Sequence, residues 1–173
     1  MCRSGCAELP ASTRSCIDSG TRTVAENYLV DSAVFLRWFI DQDGYEHARE
    51  VQQRFIDGAI SLETVDFARV EVAGVLRKKG LLTRRLTREG FVAAVRVIDD
   101  LGVVVHEITA DRLELAADLA ARKRLGMYDA LFAQLAIERR IPLLTADAKL
   151  CTALAGEVET ELLRSGGRKD DSA

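Results

Sequence analysis

The sequence predicts an α/β fold built on a mostly parallel sheet of short strands. Three observations lead there. Short apolar runs ("NYLV", "AISLETV", "VVVHEI", "PLLTA") alternate with longer stretches of helical period, the pattern of strand–helix units in a parallel sheet. "VVVHEI" is a continuous run rather than an alternating one, as expected of a strand covered on both faces. The 173 residues suffice for one core, and no internal repeat or second domain stands out.

The folded part opens at "NYLVDSAVFLRWFI". Tyr28 to Val30 form a short apolar strand, Asp31 and Ser32 end it, and helical spacing begins at Ala33. A helix follows from Tyr45 to Phe55, with Gly58 as its stop. "AISLETV" is the second strand. Asp66, a preferred N-cap residue type, opens a helix through "FARVEVAGVLRKKG". Gly80 ends that helix after a basic last turn, which suits the helix dipole. Thr87 starts a helix over "TREGFVAAVRVIDDLG", where Phe91, Val95 and Ile98 recur at helical spacing. "VVVHEI" is the third strand, and Thr109 caps the helix in "TADRLELAADLAARKRLG". A helix from about Asp129 to Arg140, the strand "PLLTA", a short helix from Asp147 and an edge strand in "ETELL" complete a domain spanning 27–164. Residues 165–173 form a polar tail.

Residues 1–26 differ from the rest: they are rich in Ser, Thr, Gly and Cys and have no period. They read as a disordered extension, with a natural start near Val24 as a second reading. No apolar h-region follows Arg3, so the segment is not a secretory signal. Cys2, Cys6, Cys16 and Cys151 match no zinc-ligand spacing. A disulfide framework is not expected in a chain this large, which points to the cytoplasm. No apolar run is long enough to cross a bilayer. The net charge of −3 excludes a simple basic-tail nucleic-acid binder, but not an enzyme that combines an acidic site with local basic patches.

The acidic residues raise the functional question. Groups that act in parallel α/β folds gather beyond the carboxyl ends of the strands. Asp31 follows the first strand and Asp147 the fourth, so both fall at that edge. Asp129 starts a helix. Glu71 lies about one turn into another, at the margin of its inward face. Two readings stand open. Taken singly, Asp31, Asp66, Asp129 and Asp147 are as well explained as helix caps, and Glu71 as a solvated helix residue. Taken together, four carboxylates at one point repel each other and make sense only around cations or with raised pKa values. An all-oxygen set suits Mg²⁺ or Mn²⁺, whereas Zn²⁺ calls for His or Cys, missing here. Metal-bound carboxylates activate water for phosphodiester cleavage.

"YLVDSAVFLRW", "ARVEVAGVLRKKG", "YDALFAQLA" and "LLTADAKL" occur in that order. Together they resemble the four motifs of PIN domains, which are metal-dependent ribonucleases, and especially the virulence-associated protein C toxins of bacterial toxin–antitoxin pairs. The resemblance covers about Asn27 to Leu163 and rests on the ordered set, not on one motif. It implies a three-layer α/β/α sandwich in which Asp31, Glu71, Asp129 and Asp147 hold Mg²⁺ or Mn²⁺ and carry catalysis. Ser32 and Thr145 match its hydroxyl positions, which orient carboxylates. RNA as substrate, a cognate antitoxin and a homodimer are the implied partners. Two features depart from the pattern: Lys149 stands where some members carry a further acid, and the extension precedes the first motif.

Arg77, Lys78, Arg84, Arg85 and Lys149 are candidates for RNA phosphate contacts, while Arg139 and Arg140 read as ordinary helix-end charge. His47 and His106 read as satisfied structural histidines and "DQDG" as a turn. Trp38 and Phe39 serve packing or an interface, and "FLRWFI" is a candidate surface for a partner. Three functions compete: a metal-dependent endoribonuclease acting as a toxin, a PIN-like scaffold that binds RNA or a protein without catalysis, and a phospho-acceptor or phosphatase domain. The last is disfavoured because "VDSAVFLR" runs straight from strand into helix, without an elaborate loop.

Overall fold

Strand and helix alternate along the chain, and every strand pairs in parallel with its neighbours. The computed structural model describes residues 26–165. The expectations for the amino-terminal extension, Cys2, Cys6, Cys16 and the end of the polar tail lie outside the described residues. The strands are β1 (Glu26–Val30), β2 (Ile60–Val65), β3 (Val104–His106), β4 (Leu143–Thr145) and β5 (Thr160–Leu162). Their order in the sheet is β3-β2-β1-β4-β5. The helices are α1 (Ser32–Leu36), α2 (Tyr45–Ile56), α3 (Phe67–Leu76), α4 (Arg88–Asp100), α5 (Ala110–Lys123), α6 (Met127–Arg139) and α7 (Ala148–Ala153).

The period-two alternation of the strands divides the core. Leu29 lies opposite Leu143, and Val30 opposite Leu144. Val30, Leu62 and Leu144 pack with side chains of α1 to α4 on one face, among them Phe35, Val51, Leu76 and Ile98. Leu29, Val65 and Leu143 pack with Leu119, Phe132, Leu135 and Leu150 of α5, α6 and α7 on the other. The result is the α/β/α sandwich. Burying each large aliphatic side chain contributes about 1.5–3 kcal/mol. No described helix is long and apolar enough to cross a membrane.

Several local expectations are met. Thr87 and Thr109 cap α4 and α5 by accepting from the N–H of Gly90 at 3.0 Å and of Arg112 at 3.2 Å. Gly58 follows α2 at φ 72°, the left-handed conformation that suits glycine. Others are corrected. The run "VVVHEI" supplies only a three-residue strand at the sheet edge, where Val104 is 49% exposed; its β-branched residues suit an edge as well as a centre. Asp66 does not cap α3. Its own backbone is helical and its side chain makes no capping bond, while its N–H donates to the carbonyl of His106 at 2.9 Å.

Gly80 does not stop the helix either. Helix α3 runs on into a π-helical turn, Arg77–Leu81, and Gly80 is needed for close approach, since a Cβ there would lie 2.6 Å from Leu86 Cδ1. Trp38 is not a partner surface. It is buried, edge-on to Phe35 at 4.9 Å, and its Nε1 donates to the carbonyl of Ala48 at 3.1 Å.

Candidate active site

The strand order turns back between β1 and β4, where one chain segment leaves into α1 and the other into α7 on the opposite face. Such a switch point opens a crevice at the carboxyl ends of the two strands. Asp31 is the residue between β1 and α1. Its Oδ1 accepts from the N–H of Ala33 at 2.8 Å and of Val34 at 3.1 Å, which caps α1. Its Oδ2 accepts from the hydroxyl of Thr145, the last residue of β4. The Thr145 oxygen in turn accepts from the N–H of Asp147 at 3.1 Å. Asp147 caps α7 through Oδ1, which accepts from the N–H of Lys149 at 2.7 Å and of Leu150 at 3.3 Å. Asp31 and Asp147, then, are both helix caps through Oδ1, and the second oxygen of Asp31 is engaged by the Thr145 hydroxyl.

Asp129 and Glu71 are not caps. Helix α6 begins at Met127 behind Gly126, two residues earlier than the sequence indicated, so Asp129 lies in its first turn. A Cβ on Gly126 would stand 3.2 Å from Asp129 Oδ2, so the glycine leaves room for the carboxylate. Asp31, Glu71 and Asp129 line one small cleft of about 90 Å³, together with Ser32, Ala33, Tyr128 and Phe132. Asp147 is outside that lining, yet close enough for its charge to act on Asp129.

Burial pushes the Asp31 carboxyl up to about 6, against the lowering effect of its bonds from Thr145, Val34 and Ala33. Asp129 is also raised, first by burial and then by the negative charges of Asp147 and Glu71. The cleft is therefore a place where negative charge is held at a cost. The Ser32 hydroxyl is fully buried there without a hydrogen-bond partner. Among the described residues no three His, Cys, Asp or Glu side chains converge into a ready-made metal cage. The donor set itself is all oxygen, carboxylates with one orphaned hydroxyl, which suits a hard divalent cation.

The candidate RNA contacts Arg77, Lys78, Arg84 and Arg85 lie on the π-helical turn and the loop after it, outside the cleft lining. Lys149 sits beside Asp147 at the start of α7. Three features escaped sequence reading. Tyr128 is 65% exposed at the cleft, its ring 5.0 Å from that of Phe67; the only signal was its place directly before Asp129. Gly126 was read as part of a helix tail. Glu63, an acid inside the apolar run "SLETV", is buried in β2. It accepts from Arg139 Nε at 2.8 Å and Nη2 at 3.0 Å, and faces His106 Nε2 at 2.6 Å. Arg139, itself half exposed, thus pairs with a buried carboxylate and is not plain helix-end charge. Both histidines have partners, His47 through its Nδ1, which accepts from the N–H of Arg164 at 3.0 Å.

A five-stranded parallel sheet with carboxylates gathered at its switch point defines an α/β domain with an acidic cleft. The family model of the PIN domain matches residues 28–153, and the chain belongs to that family. Among solved structures it is similar to Mycobacterium tuberculosis VapC20, described as a sarcin-ricin loop cleaving toxin, at 20% identity over 76% of this chain and 97% of that one, TM-score 0.58. It is similar to VapBC2 from Rickettsia felis, bound to a DNA fragment from its promoter, at 13% identity over 79% and 98%, TM-score 0.58. PAE2754 from Pyrobaculum aerophilum is similar at 22% identity over 79% and 90%, TM-score 0.55. At these identities the likeness shows the fold. No curated protein matches the chain.

Proposed function

We propose that the protein is a metal-dependent endoribonuclease, the toxin of a type II toxin–antitoxin pair, working in the cytoplasm. The observation that carries this reading is the shared cleft of Asp31, Glu71 and Asp129, with the charge of Asp147 felt inside it, in a PIN domain whose structural neighbours include toxins. Asp31, Glu71, Asp129 and Asp147 are the residues that would hold Mg²⁺ or Mn²⁺. Bound there, such an ion supplies a nucleophilic water at neutral pH and offsets the charge of the phosphodiester.

The chain's own residues do the rest. Two backbone N–H groups and the Thr145 hydroxyl fix the Asp31 carboxylate in one orientation. Asp129, in the first turn of α6 and lining the cleft, is placed to help take the proton of the attacking water. The exposed Tyr128 ring offers a base a face to stack on beside the acids. Arg77, Lys78, Arg84, Arg85 and Lys149 are proposed RNA contacts.

A cognate antitoxin would silence the site by placing an Arg among the carboxylates, whose oxygens its planar fork can pair two at a time. With Trp38 buried, the apolar surface for that partner or for a homodimer has to come from side chains such as Val70 and Leu82, which are exposed. The test is cleavage of a structured RNA by purified protein with Mg²⁺ or Mn²⁺. Activity that stops with EDTA and is absent from Asp129→Asn supports the reading. Activity that survives exhaustive chelation, or that persists in the variant, overturns it.

A further inference from the structure

The segment after α3 carries six cations, Arg77, Lys78, Lys79, Arg84, Arg85 and Arg88. None of them appears in an ion pair among the described residues. Elsewhere basic side chains are mostly matched, as Arg69 is by Asp99 and Arg122 by Asp118. Two of the six, Lys79 and Arg85, line a cavity of about 330 Å³ whose walls include Phe39, Leu76 and Leu86. Its one acid, Asp41, is already held by Arg49 at 2.8 Å. The cavity is therefore left with two uncompensated positive charges.

The backbone is built to present them. The π-helical turn places Lys79 one residue before Gly80, and the missing Cβ of Gly80 lets Leu86 fold back against it. Leu82 N–H donates to the carbonyl of Arg77 at 2.9 Å, and Arg85 N–H to that of Gly80 at 2.9 Å. The Thr83 hydroxyl closes on the carbonyl of Lys79 at 2.7 Å. Arg84 takes the left-handed conformation, φ 58°, that reverses the chain. A short return loop tied down in this way brings Arg85 to the same cavity as Lys79. Single π turns of this kind recur at functional sites.

The cavity and the acidic cleft border the same pair of helices. Helices α1 and α3 pack side by side. Asp31 caps the first end of α1 and Glu71 lies midway along α3, and the cavity is formed by the residues that follow their last turns, Phe39 to Asp41 and Lys79 to Gly80. Eight residues separate Glu71 from Lys79, about 12 Å at a rise of ~1.5 Å per residue. A stacked strand with an axial spacing of ~3.4 Å per phosphate covers that in about three to four nucleotides. A cleft of carboxylates repels a polyanion, so attraction for the strand has to come from cations a short way along it.

We propose that Lys79 and Arg85 form a phosphate subsite that holds the RNA strand about three nucleotides from the bond to be cleaved. This rests on the ribonuclease reading above. The subsite sets where the strand lies, not the chemistry at the cleft.

Binding of a labelled single-stranded oligoribonucleotide to the full chain in EDTA, over a series of KCl concentrations, tests the subsite without any cleavage. Lys79→Gln/Arg85→Gln is expected to bind at least tenfold more weakly. Its slope of log K against log salt should be smaller by about 0.7, the value for one phosphate of a single strand. Lys79→Gln alone should weaken binding more than Arg140→Gln, which removes the same charge at the far end of α6. Equal losses from those two, or an unchanged slope in the double variant, overturn the subsite. Loss of binding to a poly-glutamate peptide with RNA binding intact overturns it as well, and assigns the cavity to a protein partner.

On an RNA that the wild type cuts, the double variant should raise KM at least tenfold with kcat within twofold. One neutral methylphosphonate about three linkages from the cut should weaken the wild type and leave the double variant unaffected. A wild type that binds RNA in the salt-dependent way but cuts none overturns the nuclease reading alone. A wild type that does not bind RNA overturns both.

Discussion

The hydroxyl of Thr145 at the end of β4 donates to Oδ2 of Asp31 at the end of β1, joining the two strands between which the sheet order reverses. The same oxygen accepts from the N–H of Asp147, so one hydroxyl sets the position of two acids that lie 116 residues apart in sequence.

Replacing that hydroxyl by a methyl group of the same shape removes both bonds. Thr145→Val is expected to lose about 1–3 kcal/mol of stability, because Asp31 and the Asp147 N–H are left short of a partner. Cleavage should fall at least tenfold, while Thr145→Ser keeps most of it. Urea unfolding and cleavage rates measure the two effects. A Val variant as active as wild type would remove Thr145 from the positioning role.

The pH dependence of stability has a sign set by Asp31. Its carboxyl is held up to about 6 in the folded protein, against an ordinary value of about 3.9 in the unfolded chain. Between those values the folded state binds more protons, so its stability falls as pH rises from about 4 to about 6. With a shift of about two units the loss is of order 3 kcal/mol. Asp31→Asn in EDTA should lack that decline and be more stable than wild type at pH 7.5. Parallel pH profiles for the two proteins would refute the assignment.

Asp129→Asn should abolish cleavage and leave the protein folded, with a melting temperature in EDTA equal to or above that of wild type. Burial and the charges of Asp147 and Glu71 all work against the Asp129 carboxylate, and the amide relieves them. Expression of wild type alone should inhibit growth; the variant, or co-expression of the antitoxin, should relieve it. If Asp129→Asn unfolds, the residue is structural.

Glu63 behaves in the opposite sense. Burial works to raise its pKa, but the bonds from Arg139 and His106 outweigh that and hold it below the usual carboxylate range. Its contribution is present above its unfolded pKa, about 4.3, and is lost as pH falls through the lower folded value. Glu63→Gln should cost roughly 1–3 kcal/mol, the scale for losing charged hydrogen bonds, because the Arg139 left behind is half exposed and returns to water. Chemical denaturation at neutral pH measures it. Because Glu63 is outside the cleft lining, kcat of the folded fraction should stay close to wild type.

The sequence by itself determined what depends on neighbours a few residues apart. Alternating short apolar runs and helical periods specified parallel strands and the helices between them. Thr87, Thr109 and Gly58 marked helix ends, because capping and left-handed glycine act within one turn. Asp31 and Asp147 were legible at strand ends for the same reason. That Glu71 and Asp129 belong with them came only from the order of four resembling motifs, since nothing local in either helix points to the other.

The tertiary structure decided the rest. Whether "VVVHEI" is a central or an edge strand depends on how many strands pair beyond it, and its own residues suit both. Asp66 follows a strand and precedes a helix, as a cap should, yet its backbone is already helical and its N–H bonds to the carbonyl of His106. Trp38 looked available until α2 brought the carbonyl of Ala48 to its indole. Glu63 is tolerable in a buried strand because His106 and Arg139, 43 and 76 residues later, reach it. Gly80 follows from the return of Leu86, not from a helix stop. Each of these turns on a contact between distant segments, and such contacts are chosen by packing of the whole chain, not by the preferences of any one stretch.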